Sequence, residues 1–162
     1  MTVLFYTASG VAVLAALLAV TRANALHALL YLVLALFALS LTFYALGAPL
    51  IAAFEIIIYA GAIMVLILFA IMILNLGPES RQREHRWLAP RAWILPSLLG
   101  AALAAVALRV VLWAPATPAA GTVIGPREVG ASLFGSYLIG VELASVLLLV
   151  GLLGAYYLGR NP

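Results

Sequence analysis

Residues 50–74 read LIAAFEIIIYAGAIMVLILFAIMIL, and Glu55 is the single charge among them. A helix that crosses a membrane needs about 20 mostly apolar residues, and this stretch supplies them. Gly77-Pro78 stops it at one end. Gly47-Ala48-Pro49 breaks the chain at the other, because Gly tolerates turn geometry and Pro suits a helix start. A span at about 50–75 is therefore predicted. Working outward, the uncharged run 23–54 is too long for one helix, and the same Gly-Ala-Pro break leaves a span at about 25–46. Residues 1–21 carry no side-chain charge and end at Arg22, which makes a first span at about 2–21. A cleaved signal peptide is the competing reading there, but Met1-Thr2-Val3 offers no basic segment beyond the α-amine.

Downstream, residues 79–91 hold Glu79, Arg81, Arg83, Glu84, His85, Arg86 and Arg91 and read as a solvated loop. A fourth span follows at about 92–113. Pro115, Pro118 and Gly121 open a loop to about 132, and a fifth span runs at about 133–158. The fold expected is an all-α integral membrane protein, with five transmembrane helices in a single membrane domain over residues 1–162. Composition agrees: 67% of the 162 residues are hydrophobic and 8% charged, against about 45–50% apolar and about 25% charged in soluble domains. All 8 basic residues are Arg, and the net charge of +3 has no basic run behind it. That is not a nucleic-acid footprint, so no nucleic-acid partner is expected.

Five spans put the termini on opposite sides. Arg22, Arg81, Arg83, Arg86, Arg91 and Arg160 share one side, and only Arg109 and Arg127 fall toward the other. The positive-inside rule then predicts an N-terminus outside and a C-terminus in the cytoplasm of a bacterial inner membrane, multi-pass. Trp87, Trp93, Tyr156 and Tyr157 would mark the inner interface, and Tyr6, Tyr44 and Trp113 the outer one. Small residues are plentiful in span three (Ala52, Ala53, Ala60, Gly61, Ala62) and span five (Gly140, Ala144, Gly151, Gly154). In lipid they permit close helix approach, either within the bundle or to other chains.

Cysteine is absent, which removes disulfides, thiolate iron–sulfur ligation, Cys-based zinc sites and Cys nucleophiles. The two histidines, His27 and His85, lie far apart, and no phosphate-binding loop, dinucleotide fingerprint or nucleophile elbow is present. No cofactor, metal or catalytic group is expected in this chain by itself.

Two charges lie well inside the predicted spans, Glu55 and Glu142. Glu55 is about 5 residues and about 8 Å into span three, and Glu142 about 9 residues and about 13 Å into span five. Both spans enter from the outside, so the two carboxyls are candidates to share a zone. An ionised side chain at the membrane centre costs about 2.5–3.5 kcal/mol. Neutralising a Glu at pH 7, from a reference pKa of about 4.3, costs roughly 3.7 kcal/mol. The two costs are close, so a modest change of surroundings can switch the group, which is what proton handling requires. The alternative for each is a Glu that stays protonated and bonds a neighbouring helix. Tyr59 follows Glu55 at i+4 on the same face and is its candidate partner. Ala60-Gly61-Ala62 is the weakest helical spot in an Ile/Leu/Met helix, suited to a kink or a π-bulge, or simply to close packing. His27 heads span two near Tyr31 and reads as a polar helix end or a proton carrier. Arg109 is expected to snorkel outward.

These residues resemble a family. His27-Ala28-Leu29-Leu30-Tyr31-Leu32, the stretch Glu55-Ile56-Ile57-Ile58-Tyr59-Ala60-Gly61-Ala62-Ile63-Met64-Val65-Leu66, Asn75-Leu76 and Val141-Glu142-Leu143-Ala144-Ser145 are similar in order and spacing to the subunit J family of the proton-pumping NADH:quinone oxidoreductase, respiratory complex I. The resemblance implies a non-redox core membrane subunit that helps couple quinone reduction to proton translocation. It implies an enzyme role only as part of that oxidoreductase. NADH, FMN, iron–sulfur clusters and quinone would be held by the complex and not by this chain. The implied partners are the quinone-site subunit, small subunits A and K, the antiporter-like subunits and lipid. The third helix of that family has a π-bulge that forms and relaxes, which carries onto Tyr59, Ala60, Gly61 and Ala62, and its acidic residue there matches Glu55. Only four residues follow the fifth span, where some members extend. Changing a π turn to an α turn shifts the register by about one residue and rotates what lies beyond by roughly 100°. Met64, Leu68 and Met72 would change faces together. The rival classes are a related subunit of a multisubunit cation/proton antiporter or membrane-bound hydrogenase, an isolated transporter, and a structural scaffold.

Overall fold

The computed structural model describes residues 2–74, 90–113 and 123–160. The expectations for Asn75, Gly77-Pro78, the Glu79–Arg86 loop, Trp87 and the Pro115/Pro118/Gly121 loop lie outside those residues. The chain divides into two compact units, Met1–Val123 and Ile124–Pro162.

The first unit holds α1 (Thr2–Thr21), α2 (Ala25–Ala45), α3 (Pro49–Leu74) and α4 (Pro90–Trp113). Helices α1 and α2 are joined by Arg22, Ala23 and Asn24. Asn24 starts α2: its Oδ1 accepts from the amides of Leu26 at 2.9 Å and His27 at 3.3 Å, a cap worth about 1 kcal/mol. The two helices pack through small residues, with Ala8 and Ala15 of α1 and Ala35 and Ala38 of α2 buried. Lipid offers no hydrophobic drive for such a seam, so close backbone approach and dispersion hold it.

The turn from α2 to α3 follows from Gly47. Its φ of 84° is left-handed, and the Gly47 amide donates to the Tyr44 carbonyl at 3.0 Å while the Ala48 amide donates to Phe43 at 3.1 Å. This is the Schellman ending, which satisfies the last carbonyls of α2. Pro49 then opens α3 at a position where its missing N–H costs nothing. Helix α4 packs on α1 and α2, with Leu103 buried. It contains Pro96, and its apolar part is Trp93–Arg109.

The second unit holds α5 (Pro126–Leu133) and α6 (Leu138–Gly159). Glu128 reaches back to accept from the Gly125 amide at 3.0 Å, capping α5. This short helix stands where the sequence reading expects loop, and α6 begins at Leu138 and not near 133. Among the described residues all regular structure is helical, and α1, α2, α3 and α6 are long and apolar enough to cross a membrane.

Candidate functional site

Helix α3 is not uniform. Pro49–Phe54 is α-wound, Glu55–Ile63 is π-wound over 9 residues, and Met64–Leu74 returns to α. At the exit from the wide segment the Met64 amide reaches back five residues to the Tyr59 carbonyl. The winding extends beyond Tyr59, Ala60, Gly61 and Ala62, where the sequence suggested a bulge, back to Glu55. Its consequence at Gly61 is steric: a Cβ there would lie 3.1 Å from the Ile56 carbonyl oxygen, five residues back. Ordinary Cβ contacts are longer, so a side chain there would require that carbonyl to give by a few tenths of an ångström.

Glu55 is the first residue of the wide segment and is 8% exposed. It faces a packed interior because Pro49–Phe54 and the π segment both lie on α2. Among the described residues no side chain donates a hydrogen bond to its carboxyl. Tyr59 is 51% exposed, and no hydrogen bond joins it to Glu55. Ala60, Gly61 and Ala62 line the second half of the wide segment.

Ahead of Glu55, the Ser40 hydroxyl of α2 donates to the Ala52 carbonyl of α3 at 2.8 Å, with both residues buried. Thr42 donates to the Ala38 carbonyl at 2.9 Å and meets the Ser9 hydroxyl of α1 at 3.5 Å. The sequence reading does not single out Ser40 or Thr42. The signal was their rarity, since they are the aliphatic hydroxyls of a span otherwise polar only at His27, Tyr31 and Tyr44.

At the other end of α2, His27 is buried, its ring 6.2 Å from that of Trp93 on α4. The Arg22 guanidinium stands 5.2 Å from the centre of the Tyr31 ring, a cation–π contact of about 0.5–1 kcal/mol. Asn24 Nδ2 and His27 Nε2 have no hydrogen-bond partner among the described residues. Those residues also contain no cluster of three His or carboxylate side chains that could hold a metal ion.

The model of the NADH-ubiquinone/plastoquinone oxidoreductase chain 6 family matches residues 15–158. A Pseudomonas aeruginosa protein named NADH-quinone oxidoreductase subunit J is 51% identical over 158 residues, 97% of this chain and 95% of its own. The chain belongs to the NADH-ubiquinone/plastoquinone oxidoreductase chain 6 family. Subunit J of the same name from Escherichia coli strain K12 is 46% identical, covering 97% of this chain and 85% of its own. That of Buchnera aphidicola from Schizaphis graminum is 40% identical, covering 97% and 96%.

Within the chain 6 family match lie Ser40, Glu55, Tyr59, Gly61 and Glu142. Glu142 belongs to the second unit. It is four residues after Leu138 and so about 6 Å from the start of α6, closer to the helix end than the span reading implied. Its side chain is exposed, and the Ser145 hydroxyl donates to its backbone carbonyl at 2.7 Å.

Proposed function

We propose that this chain is the subunit J of a bacterial proton-pumping NADH:quinone oxidoreductase, and that α3 couples quinone reduction to proton translocation by changing its winding. The observation that carries the first part is 51% identity to a protein of that name across 97% of the chain. The second part is supported by the π-wound segment Glu55–Ile63. In this reading the chain is a single five-span membrane domain of the inner membrane, N-terminus outside, with α4 as the fourth span. It holds no redox centre. NADH, FMN, iron–sulfur clusters and quinone belong to the assembled enzyme. Its partners are the quinone-site subunit, small subunits A and K, and the antiporter-like subunits. They would cover the apolar side chains that α6 leaves exposed, such as Leu147, Leu148 and Leu152.

The chemistry assigned to the chain is proton gating. Glu55 is the switchable carboxyl, Tyr59 a polar group that changes partner as the turn changes, and Gly61 the hinge with Ala60 and Ala62 beside it. Glu142 is a second proton-path residue. When the π turn becomes an α turn, Met64, Leu68 and Met72 move to a new face. A water path beside α3 opens or closes accordingly. The test of identity is affinity purification of the tagged chain from membranes. Co-purification with a flavin and iron–sulfur assembly active in NADH:quinone reduction is expected. Recovery with an assembly that lacks flavin and NADH oxidation would point instead to a cation/proton antiporter or hydrogenase.

A further inference from the structure

Four hydroxyls of the helices share one habit. Thr7 donates to Val3, Thr21 to Leu17, Thr42 to Ala38 and Ser145 to Glu142, each to a carbonyl of its own helix. In an apolar environment this is the cheapest way to satisfy a hydroxyl. Ser40 departs from it: its hydroxyl crosses to the Ala52 carbonyl of α3, although Ala52 already accepts from the Glu55 amide. The Glu55 amide is shared with the Ile51 carbonyl, and the Ser40 bond to Ala52 joins two helices. It does so three residues before the wide segment begins.

We propose that Ser40 is a positioning residue that pins Pro49–Phe54 to α2, so that a change of winding in α3 turns only the Met64–Leu74 half. The inference rests on the switchable-helix reading and adds what that reading leaves open. Losing one residue from a turn rotates the two halves relative to each other by about 100° but does not say which half moves. The first half is held three ways. The Gly47-Ala48 link to α2 is only two residues and is closed by its own hydrogen bonds. Ala52 is buried and accepts the Ser40 bond. Helix α2 is itself packed on α1 along the seam of Ala8, Ala15, Ala35 and Ala38, with the Ser9 and Thr42 hydroxyls 3.5 Å apart.

Among the described residues of this unit, the second half has no comparable tie. After Met64, the side chains of Leu66, Phe69, Met72, Ile73 and Leu74 are all more than half exposed in this chain, and none carries a hydrogen-bond donor. Apolar contacts of this kind are non-directional, so one set can be exchanged for another by rotation. With the first half pinned, Glu55 stays in its buried place against α2 while the groups beyond Gly61 turn past it.

The test uses the whole enzyme carrying Ser40→Ala or Ser40→Thr, imaged by electron cryomicroscopy at rest and during turnover, with NADH:quinone turnover measured alongside. In the parent enzyme, Pro49–Phe54 is expected to superpose on α2 in both windings while Met64–Leu74 turns. In S40A, part of the turning should pass to Pro49–Phe54, and turnover should fall by about two- to tenfold, the range set by one hydrogen bond. S40T, which keeps the hydroxyl, should restore both. Should S40A fail to assemble, Ser40→Cys, with its weak donor, is expected to give an intermediate displacement. Pro49–Phe54 fixed in both S40A and S40C, or full turnover in whichever of them assembles, would overturn the anchor and leave the switch standing. One winding in every state of the parent would overturn the switch and the anchor with it.

Discussion

Replacing Gly61 tests the winding of α3 most directly. In the π-wound form a Cβ at this position lies 3.1 Å from the Ile56 carbonyl oxygen, a few tenths of an ångström inside ordinary contact. That oxygen is backbone, held in the turn by its neighbours, so it yields only by distorting the turn. Overpacking of this kind costs about 1–3 kcal/mol. Gly61→Ala sits at the low end, about 1 kcal/mol, because a single methyl can be accommodated by a small shift. The gain in helix propensity from Gly to Ala, also about 1 kcal/mol, applies to either winding and does not offset the clash. The net effect is a shift of about fivefold from the π-wound toward the α-wound state. Gly61→Val adds two γ-carbons whose χ1 is restricted against the preceding turn. It should cost about 2 kcal/mol or more, a shift of about 30-fold that nearly empties the π-wound state.

The assay is image classification of the assembled enzyme, with the fraction of particles in each winding counted for parent, Gly61→Ala and Gly61→Val. Turnover is measured on the same preparations. If both windings are visited in each cycle, Gly61→Ala should lower turnover by a few-fold at most and Gly61→Val by more than tenfold, with assembly intact. A Gly61→Val enzyme that assembles, keeps its π-wound fraction and turns over normally would refute the reasoning. Helix α3 would then be packing alone.

Three further outcomes are expected. Glu55→Gln keeps shape and hydrogen-bonding capacity but removes titration, so it should lower proton-coupled turnover without blocking assembly, and Glu142→Gln should do less. An unchanged rate and pH profile in the Glu55 variant would rule out proton handling there. A reporter phosphatase that works only outside the cytoplasm, fused after Ser80, should be inactive, and strong activity would reverse the orientation read from the arginines. Expressed without its proposed partners, the chain should be degraded or aggregate, because so many large apolar side chains are exposed; a stable monomer with transport activity of its own would contradict this.

Much of the helical layout was legible because charge and punctuation mark helix ends in a membrane. Arg22 closes α1, and the Gly47-Ala48-Pro49 turn does in the structure what Gly and Pro do in general. Family membership was legible in the stretch from Glu55 to Leu66. Other features were not. Helix α5 lies in a Gly- and Pro-containing region and is made by the Glu128 cap, a single local bond that composition does not reveal. His27, read from its place near a span end as a polar helix end or a proton carrier, is buried with its ring 6.2 Å from that of Trp93, a residue far along the chain. The wide winding starts at Glu55 in a run of isoleucines with nothing local to mark it. Composition points to Gly61, but where a π segment begins depends on how the helix is seated. The proposed seat is Ser40, 15 positions before Glu55, whose hydroxyl bonds the Ala52 carbonyl.

Those two residues, Ser40 and Gly61, bracket Glu55 in a way that gives the carboxyl a reason to be at the junction. A Glu in lipid sits close to balance between its charged and neutral forms, so its state follows small differences in what surrounds it. If the whole helix turned, Glu55 would leave α2 together with its surroundings and little would change between the two environments. If nothing turned, the environment would be constant. Under the proposed switch, a fixed first half and a movable second half keep the carboxyl against α2 while the packing beyond Gly61 is exchanged. The requirement on Gly61 is then energetic as well as steric. Under the proposed switch, its missing methyl avoids the contact at 3.1 Å and so would hold the π-wound state within reach of the α-wound one. Coupling needs that near-equality, because a ligand or a redox event elsewhere in the enzyme can shift the equilibrium only by its own difference in affinity for the two states.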